Sequence, residues 1–433
     1  MSIIERIKLI LQKRALQQTS YVFFGSLVNG ASLFTLNIIL ARVLSVDFFA
    51  IFSLSVLALS TVAEVSDFGL NSGLLRFAPY YISTNQTDKL KQLVKTIWSW
   101  RVWLTWILTI GGIALSYPGA KYIFGQAKIY PYLMYSFLGI GGVVLLGFLT
   151  TFLQSKQRFF YQASVQSLKG FLRLVIVIIL AVLGVRNLFA YLSVYIFVPW
   201  ILFISNYKVF PENFRKVEVD PAVKNSLHSQ LAKFSFWLSI SSVMSIFATR
   251  VDSVVISHFL GLESVAVYSA AYLPIQFFPL VYNSIGAVLT PKLSAFTDKK
   301  ELISFFIRTL KWVSVAFAAT IILIVPSKFL IPLFFGQKYI SSMPVYLILA
   351  SSLALNILST PFSIIITIFN QTRLVFVSAL LGLLINIIGN VLFVPRFGVM
   401  GSAYTFALGV IFSLCFNIVC ALYLFKKRDL VIV

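Results

Sequence analysis

Arg250 and Asp252 stand well inside one long apolar stretch of the chain, and Glu64 and Asp67 sit at i and i+3 in another. An ionisable side chain at the centre of a membrane span costs about 2.5–3.5 kcal/mol on insertion scales, so those retained tend to face a water-filled cavity or a partner. The chemistry they offer is ion handling. A carboxylate in such a place can take up a proton or hold a cation, which makes Asp252, Glu64 and Asp67 candidate ion-coupling residues. A guanidinium can bind phosphate oxygens through two parallel hydrogen bonds, which makes Arg250 a candidate anion contact. The alternative for each is a buried ion pair that only fixes packing, although Arg250 and Asp252, two apart on a helix, do not face each other well. Arg101 opens a further stretch beside Trp98, Trp100, Trp103 and Trp106, where it is either a cavity cation or part of an interfacial belt. Lys169 and Arg173 are expected to snorkel to the inner surface. His258 has no ligand partner at metal spacing, and no cofactor is implied.

Neutral polar residues run in stripes through two of the apolar stretches. Ser235, Ser239, Ser242, Ser245, Thr249 and Asp252 fall at spacings that keep them on one helical face. Ser352, Asn356, Ser359, Ser363, Thr367 and Asn370 form a second stripe. Thr19, Ser26 and Asn29 of the first stretch correspond to Ser235, Ser242 and Ser245. Small polar residues also let helices approach and hydrogen-bond, so packing and a wetted cavity both remain open. The cavity reading makes Asn29, Ser242, Ser245, Thr249 and Asn356 candidate substrate contacts.

The elements that must carry these residues are membrane-spanning helices. Apolar residues make up 59% of the chain and charged residues 11%, against about 25% charged in soluble domains. Stretches of about 20 mainly apolar residues run near 20–40, 48–71, 98–117, 130–153, 168–185, 188–207, 233–258, 268–290, 308–326, 343–369, 373–394 and 401–425. The expected fold class is an all-α polytopic membrane protein with twelve transmembrane helices in two six-helix halves.

Those halves resemble each other. The stretch Ala41–Ser53 reappears as Ser257–Ser269, Phe124-Gly125-Gln126 as Phe335-Gly336-Gln337, and Gly184-Val185 as Gly398-Val399. Six spans per half leave both in the same orientation, so the repeats are expected to be parallel. Internal duplication of this kind is above all a mark of transporters, whose sites lie between the repeats. The expected organisation is an amphipathic cytoplasmic N-terminus over 1–19, a bundle over 20–207, a cytoplasmic linker over 208–232, a second bundle over 233–425 and a tail over 426–433. With this span count, 26 Lys and Arg fall on the N-terminal side of the membrane and 7 on the other. The positive-inside rule then puts both termini in the cytoplasm.

A net charge of +22 would suggest nucleic acid in a soluble chain, but here it is dispersed among apolar runs, so no nucleic acid is expected. Cys415 and Cys420 form neither a disulfide framework nor a metal motif. There is no phosphate-cradling glycine loop and no nucleophile elbow, so nothing visible would power transport by ATP hydrolysis, and the chain is not expected to be an enzyme.

Several segments resemble one family. Leu40–Ser53, Glu64–Asn71 and Leu75–Phe77 are similar to the opening of polysaccharide-unit (O-antigen, Wzx-type) flippases of the multidrug/oligosaccharidyl-lipid/polysaccharide (MOP) superfamily. Arg250–Gly261, Val267–Ala271, Pro291–Ser294 and Val394–Ala403 resemble its second half. The resemblance implies two six-helix bundles around a V-shaped cavity in the cytoplasmic (inner) membrane. It implies flipping of a polyisoprenyl-diphosphate-linked oligosaccharide repeat unit from inner to outer leaflet for O-antigen, capsule or exopolysaccharide synthesis. Membrane lipids, a coupling ion (H+ or Na+) and the polymerase and chain-length proteins of the pathway are the expected partners. Cationic cavity residues of the family would fall here at Arg42, Arg250 and Arg101. Two rival functions are a drug/cation–proton antiporter on the same fold and a membrane glycan polymerase or ligase. The short outer loops leave the latter little room for a catalytic platform.

Overall fold

The computed structural model describes residues 3–215, 240, 243, 244, 246–279, 282, 289, 293, 299–369 and 371–426. Nearly everything described is helix. The first half comprises α1 (Ile3–Val43), α2 (Val46–Val65), α3 (Leu70–Ser83), α4 (Thr87–Ala114), α5 (Tyr130–Phe137), α6 (Ile140–Ser155), α7 (Phe159–Val182) and α8 (Leu188–Ser205). The second comprises α9 (Val251–Leu260), α10 (Leu262–Ile275), α11 (Lys299–Ser327), α12 (Leu330–Phe335), α13 (Ser342–Ile368), α14 (Thr372–Phe397) and α15 (Val399–Lys426).

Among the described residues eight helices are long and apolar enough to cross a membrane, or up to ten if each of two bent pairs is one span. The seventh and eighth expected spans lie only partly within the described residues, which cover 246–258 of the one and 268–279 of the other apart from isolated positions. Large apolar side chains point outward along these helices: Trp103 and Trp106 of α4 are 66% and 65% exposed, and Ile322 of α11 is 70% exposed. An outward apolar surface of that extent is stable in lipid and not in water. The protein is an all-helical, multi-pass membrane protein.

The repeat seen in the sequence is also a repeat of backbone conformation. Gly125 and Gly336 both have positive φ, at 66° and 96°, and Gly184 and Gly398 do too, at 67° and 62°. Each of the first two precedes a short 3-10 turn, at Ala127–Ile129 and Gln337–Tyr339. A side chain at such a φ would be strained, which accounts for glycine surviving at both copies.

Contacts divide the chain into two compact units. One holds 1–43, 54–120 and 127–243, and the other 44–53, 121–126 and 244–433. Two short segments of the first half, 44–53 and 121–126, belong to the second unit. There, Lys338 Nζ donates to the Leu44 carbonyl at 2.9 Å, Phe49 meets Tyr339 edge-on at 5.8 Å, and Ser257 Oγ donates to the Phe124 carbonyl at 2.8 Å.

Candidate functional site

Asp252 is the point on which the second unit converges. It lies in the first turn of α9 and is 2% exposed. Tyr268 of α10 donates its hydroxyl to Oδ2 at 2.7 Å. From α14, Asn390 and Asn386 donate their amides to Oδ1 at 2.7 and 3.1 Å. Ser402 of α15, fully buried, lies beside the same carboxylate. Helices α10 and α14 are thus tied by hydrogen bonds to the acid of α9, and α15 packs beside it. Gly389 permits the last of them to close in, since a Cβ there would come within 2.6 Å of Thr405 Cγ2.

The electrostatics of this cage are unusual. A buried carboxylate generally needs a positive partner, yet every donor here is neutral. The Asn390 Oδ1 and Ser402 Oγ atoms are buried without a hydrogen-bond partner. Amide orientations follow from the hydrogen-bond network, so either asparagine can turn an oxygen rather than a nitrogen toward the acid. The site is a concentration of hard oxygens around one negative charge, suited to a proton or a small monovalent cation. Asn386, Asn390, Tyr268 and Ser402 were not among the residues singled out from the sequence. The available signal was the i, i+4 pair of asparagines in an otherwise apolar span.

Arg250 precedes α9 and is half-buried. It lies close enough to Tyr272 to act on it electrostatically. Tyr272 stacks on Tyr268, with ring centroids 6.0 Å apart. Arg250 and Asp252 therefore belong to one cluster joined through two tyrosine rings. The single polar face expected to run on to Asp252 is interrupted. The helix turns at Thr249 and Arg250, whose amides bond i−3 carbonyls (Ile246 and Phe247), leaving Thr249 exposed while Asp252 is buried. Ser235, Ser239, Ser242 and Ser245 lie outside the described residues.

The second stripe does line a space. Asn356, Ser359, Thr360 and Ser363 of α13 face Ser413 and Asn417 of α15 around a polar cavity of about 460 Å³. Asn417 donates to Ser359 Oγ across it at 3.0 Å.

In the first unit the structure departs from the expectations for three ionisable residues. The second span ends at Val65, and a turn with positive φ at Phe68 and Gly69 follows. Asp67 therefore lies in a turn, where its Oδ1 accepts the Asn71 amide of α3 at 3.3 Å. The same oxygen meets Arg101 Nη2 at 2.6 Å, and Arg101 also donates to Asn71 Oδ1 at 2.7 Å. Arg101 is only 2% exposed and sits over the Phe148 ring. It is not part of an interfacial belt, because it is buried and paired with the Asp67 carboxylate. Trp98 likewise turns inward, stacked on Phe203 with Arg215 over its face, while Trp103 and Trp106 are exposed. Arg173, expected to snorkel, is instead buried within α7. Glu64 and Arg42 are exposed at helix ends, and Asn29 packs against Gly170 of α7.

The described residues thus form a helical membrane protein with an internal repeat, a caged buried acid and a polar cavity. Solved structures agree on the fold. The chain is similar to the lipid II flippase MurJ in an inward closed conformation, at a TM-score of 0.74 and 15% identity, over 94% of this chain and 87% of that one. It is similar to an inward-facing multidrug resistance MATE family transporter of the MOP superfamily, at 0.78 and 11%, over 92% and 94%. In sequence it is 24% identical to an uncharacterized membrane protein of Methanocaldococcus jannaschii over 383 residues, 81% of this chain and 73% of that protein. The profile of the polysaccharide biosynthesis protein family matches residues 15–297, well over half of the chain, and the chain belongs to that family.

Proposed function

We propose that the protein flips a polyisoprenyl-diphosphate-linked oligosaccharide unit from the inner to the outer leaflet of the cytoplasmic membrane, by alternating access coupled to an ion. Both termini face the cytoplasm in this reading. Membership of a polysaccharide biosynthesis family supports the substrate class, and the Lys/Arg asymmetry supports the orientation. The lipid tail can stay in the bilayer, while the charged head needs a polar, cation-bearing path to cross.

The observation that carries the coupling is the Asp252 cage: a fully buried acid met, among the described residues, only by neutral donors. Occupied by H+ or Na+, it loses its uncompensated charge, and α9, α10, α14 and α15 can pack on a neutral centre. Empty, it carries a charge that favours a wetter arrangement. Arg250, two residues away and linked through Tyr268 and Tyr272, is placed to make head-group binding depend on that state. The Asn356 cavity, lined by hydroxyls and amides, suits sugar hydroxyls.

The test is complementation in cells lacking the protein, which should accumulate lipid-linked units on the inner leaflet. Asp252→Asn keeps the shape of the cage and should remain folded, but it should fail to clear the accumulated units, and its residual flux in vesicles should not respond to Na+ or pH. Full clearance with wild-type ion dependence would remove Asp252 from the coupling role.

A further inference from the structure

One face of α7 carries Gln162, Gln166, Lys169 and Arg173, at spacings of 4, 3 and 4 that hold them on a single side of the helix. Its two ends point into the first unit, and Gln166 and Lys169 between them are half-buried. Gln162 and Arg173 are 9% and 7% exposed, whereas Phe160, Leu168 and Phe171 on the opposite side are 65%, 43% and 53% exposed. Across the tight α1–α7 crossing stands Asn29, its amide against Gly170.

The stripe holds two positive charges with nothing negative to meet them. Arg173 donates from Nη2 to the Tyr195 carbonyl at 3.3 Å and lies 4.2 Å from the centre of the Tyr195 ring. Its Nε is buried with no acceptor, and so are the Gln162 Oε1 and Asn29 Oδ1 atoms with no donor. Among the described residues no carboxylate comes within ion-pair distance of Lys169 or Arg173. Arg101, in the same unit, shows the alternative: a buried guanidinium held at 2.6 Å from Asp67. Like charges four apart on a helix repel, and each is costly inside a membrane. A pair kept under those conditions, with the Arg173 Nε–H unspent and two unspent amide oxygens beside it, is arranged for an anion that arrives later.

We propose that this stripe is an anion subsite that takes the diphosphate of the transported lipid, with Lys169 and Arg173 on the phosphate oxygens and the amides of Gln162, Gln166 and Asn29 on neighbouring phosphate or sugar hydroxyl groups. A carboxamide can donate or accept, so it serves either group. The inference rests on the flippase reading and gives the head group a landing point inside the first unit. A bulk phospholipid also carries phosphate, but as a singly charged diester, and two adjacent cations match a diphosphate better.

The experiment uses purified full-length protein in detergent, with a long-chain polyisoprenyl diphosphate as probe and phosphatidylglycerol as comparator. The double variant Lys169→Gln/Arg173→Gln should bind the diphosphate at least about tenfold more weakly, with phosphatidylglycerol binding unchanged and the protein still monodisperse. In the wild-type protein, which needs no variant to fold, the diphosphate should slow acylation of Lys169 as followed by mass spectrometry. Undiminished diphosphate binding by the monodisperse double variant, or acylation that the probe does not slow, would overturn the subsite while leaving the flippase reading standing. Equal loss of both lipids would make it a bulk-lipid site and overturn the assignment to substrate. Failure of the wild-type protein to bind the diphosphate at all would remove both.

Discussion

Replacing Asp67 by Ala strips Arg101 of the one ion pair it makes among the described residues while leaving the guanidinium 2% exposed. Breaking a buried pair from one side typically costs about 3–5 kcal/mol, because the remaining charge is uncompensated. Two features place this case at the low end. Asp67 itself is 29% exposed, so solvent already weakens the attraction, and Asn71 Oδ1 still accepts from Arg101 at 2.7 Å. The expected loss is therefore about 3 kcal/mol, read as a clear fall in melting temperature in detergent. Removing both charges by Arg101→Met with Asp67→Leu should recover most of that loss, since a well-packed apolar pair is often neutral in place of a buried ion pair. The same double variant should retain transport, because Arg101 is engaged in holding α4 to the turn before α3. A stably folded double variant that does not transport would refute this reasoning and return Arg101 to the list of substrate contacts.

Arg250→Lys keeps the charge but loses the planar fork, and should reduce glycan export partially where Arg250→Ala abolishes it, both proteins remaining in the membrane. Activity restored by combining Arg250→Ala with Asp252→Ala would mean that Arg250 only balances the acid. Gly170→Ala drives a methyl to 2.9 Å from the Asn29 Cα, a backbone atom that cannot rotate away. Overpacking of this kind costs about 1–3 kcal/mol, so the variant should melt earlier than wild type, and an unchanged melting curve would contradict the tight crossing. Single cysteines at Lys121 and Lys128 should react with an impermeant reagent on intact cells, and those at Lys89 and Lys208 only after permeabilisation. Uniform labelling of all four would sink the assigned orientation.

The architecture was legible because it depends on long-wavelength features: runs of apolar residues, the distribution of lysine and arginine, and turn glycines repeated at matching places. Gly125 and Gly336 are visible in sequence for the same reason that they matter in structure. Pairing was not legible. Arg101 and Asp67 are 34 residues apart, and no local pattern says that a turn at 66–69 brings them together. The cage around Asp252 was half visible. The acid itself stood out because a charge in an apolar run is costly, but Asn386 and Asn390 cost less and read as ordinary polar positions. Lys169 and Arg173 illustrate the opposite error. Their place near a span end suggested that they reach for the surface, yet the side of the helix they share with Gln162 and Gln166 turns them inward.

The bond from Lys338 to the Leu44 carbonyl joins residues 294 positions apart. Ribosomes add about 5–20 residues per second, so Leu44 leaves the ribosome roughly 15–60 s before Lys338 exists. During that interval Phe49, fully buried in the finished protein, has no Tyr339 ring to pack against. The segment 44–53 must wait in the bilayer or in the care of an insertase, and the second unit cannot be completed until the last third of the chain has been made. Biogenesis of this protein is in that sense a closing of its beginning onto its end, and a pause in translation after the first six spans would leave that seam open to the membrane quality-control machinery.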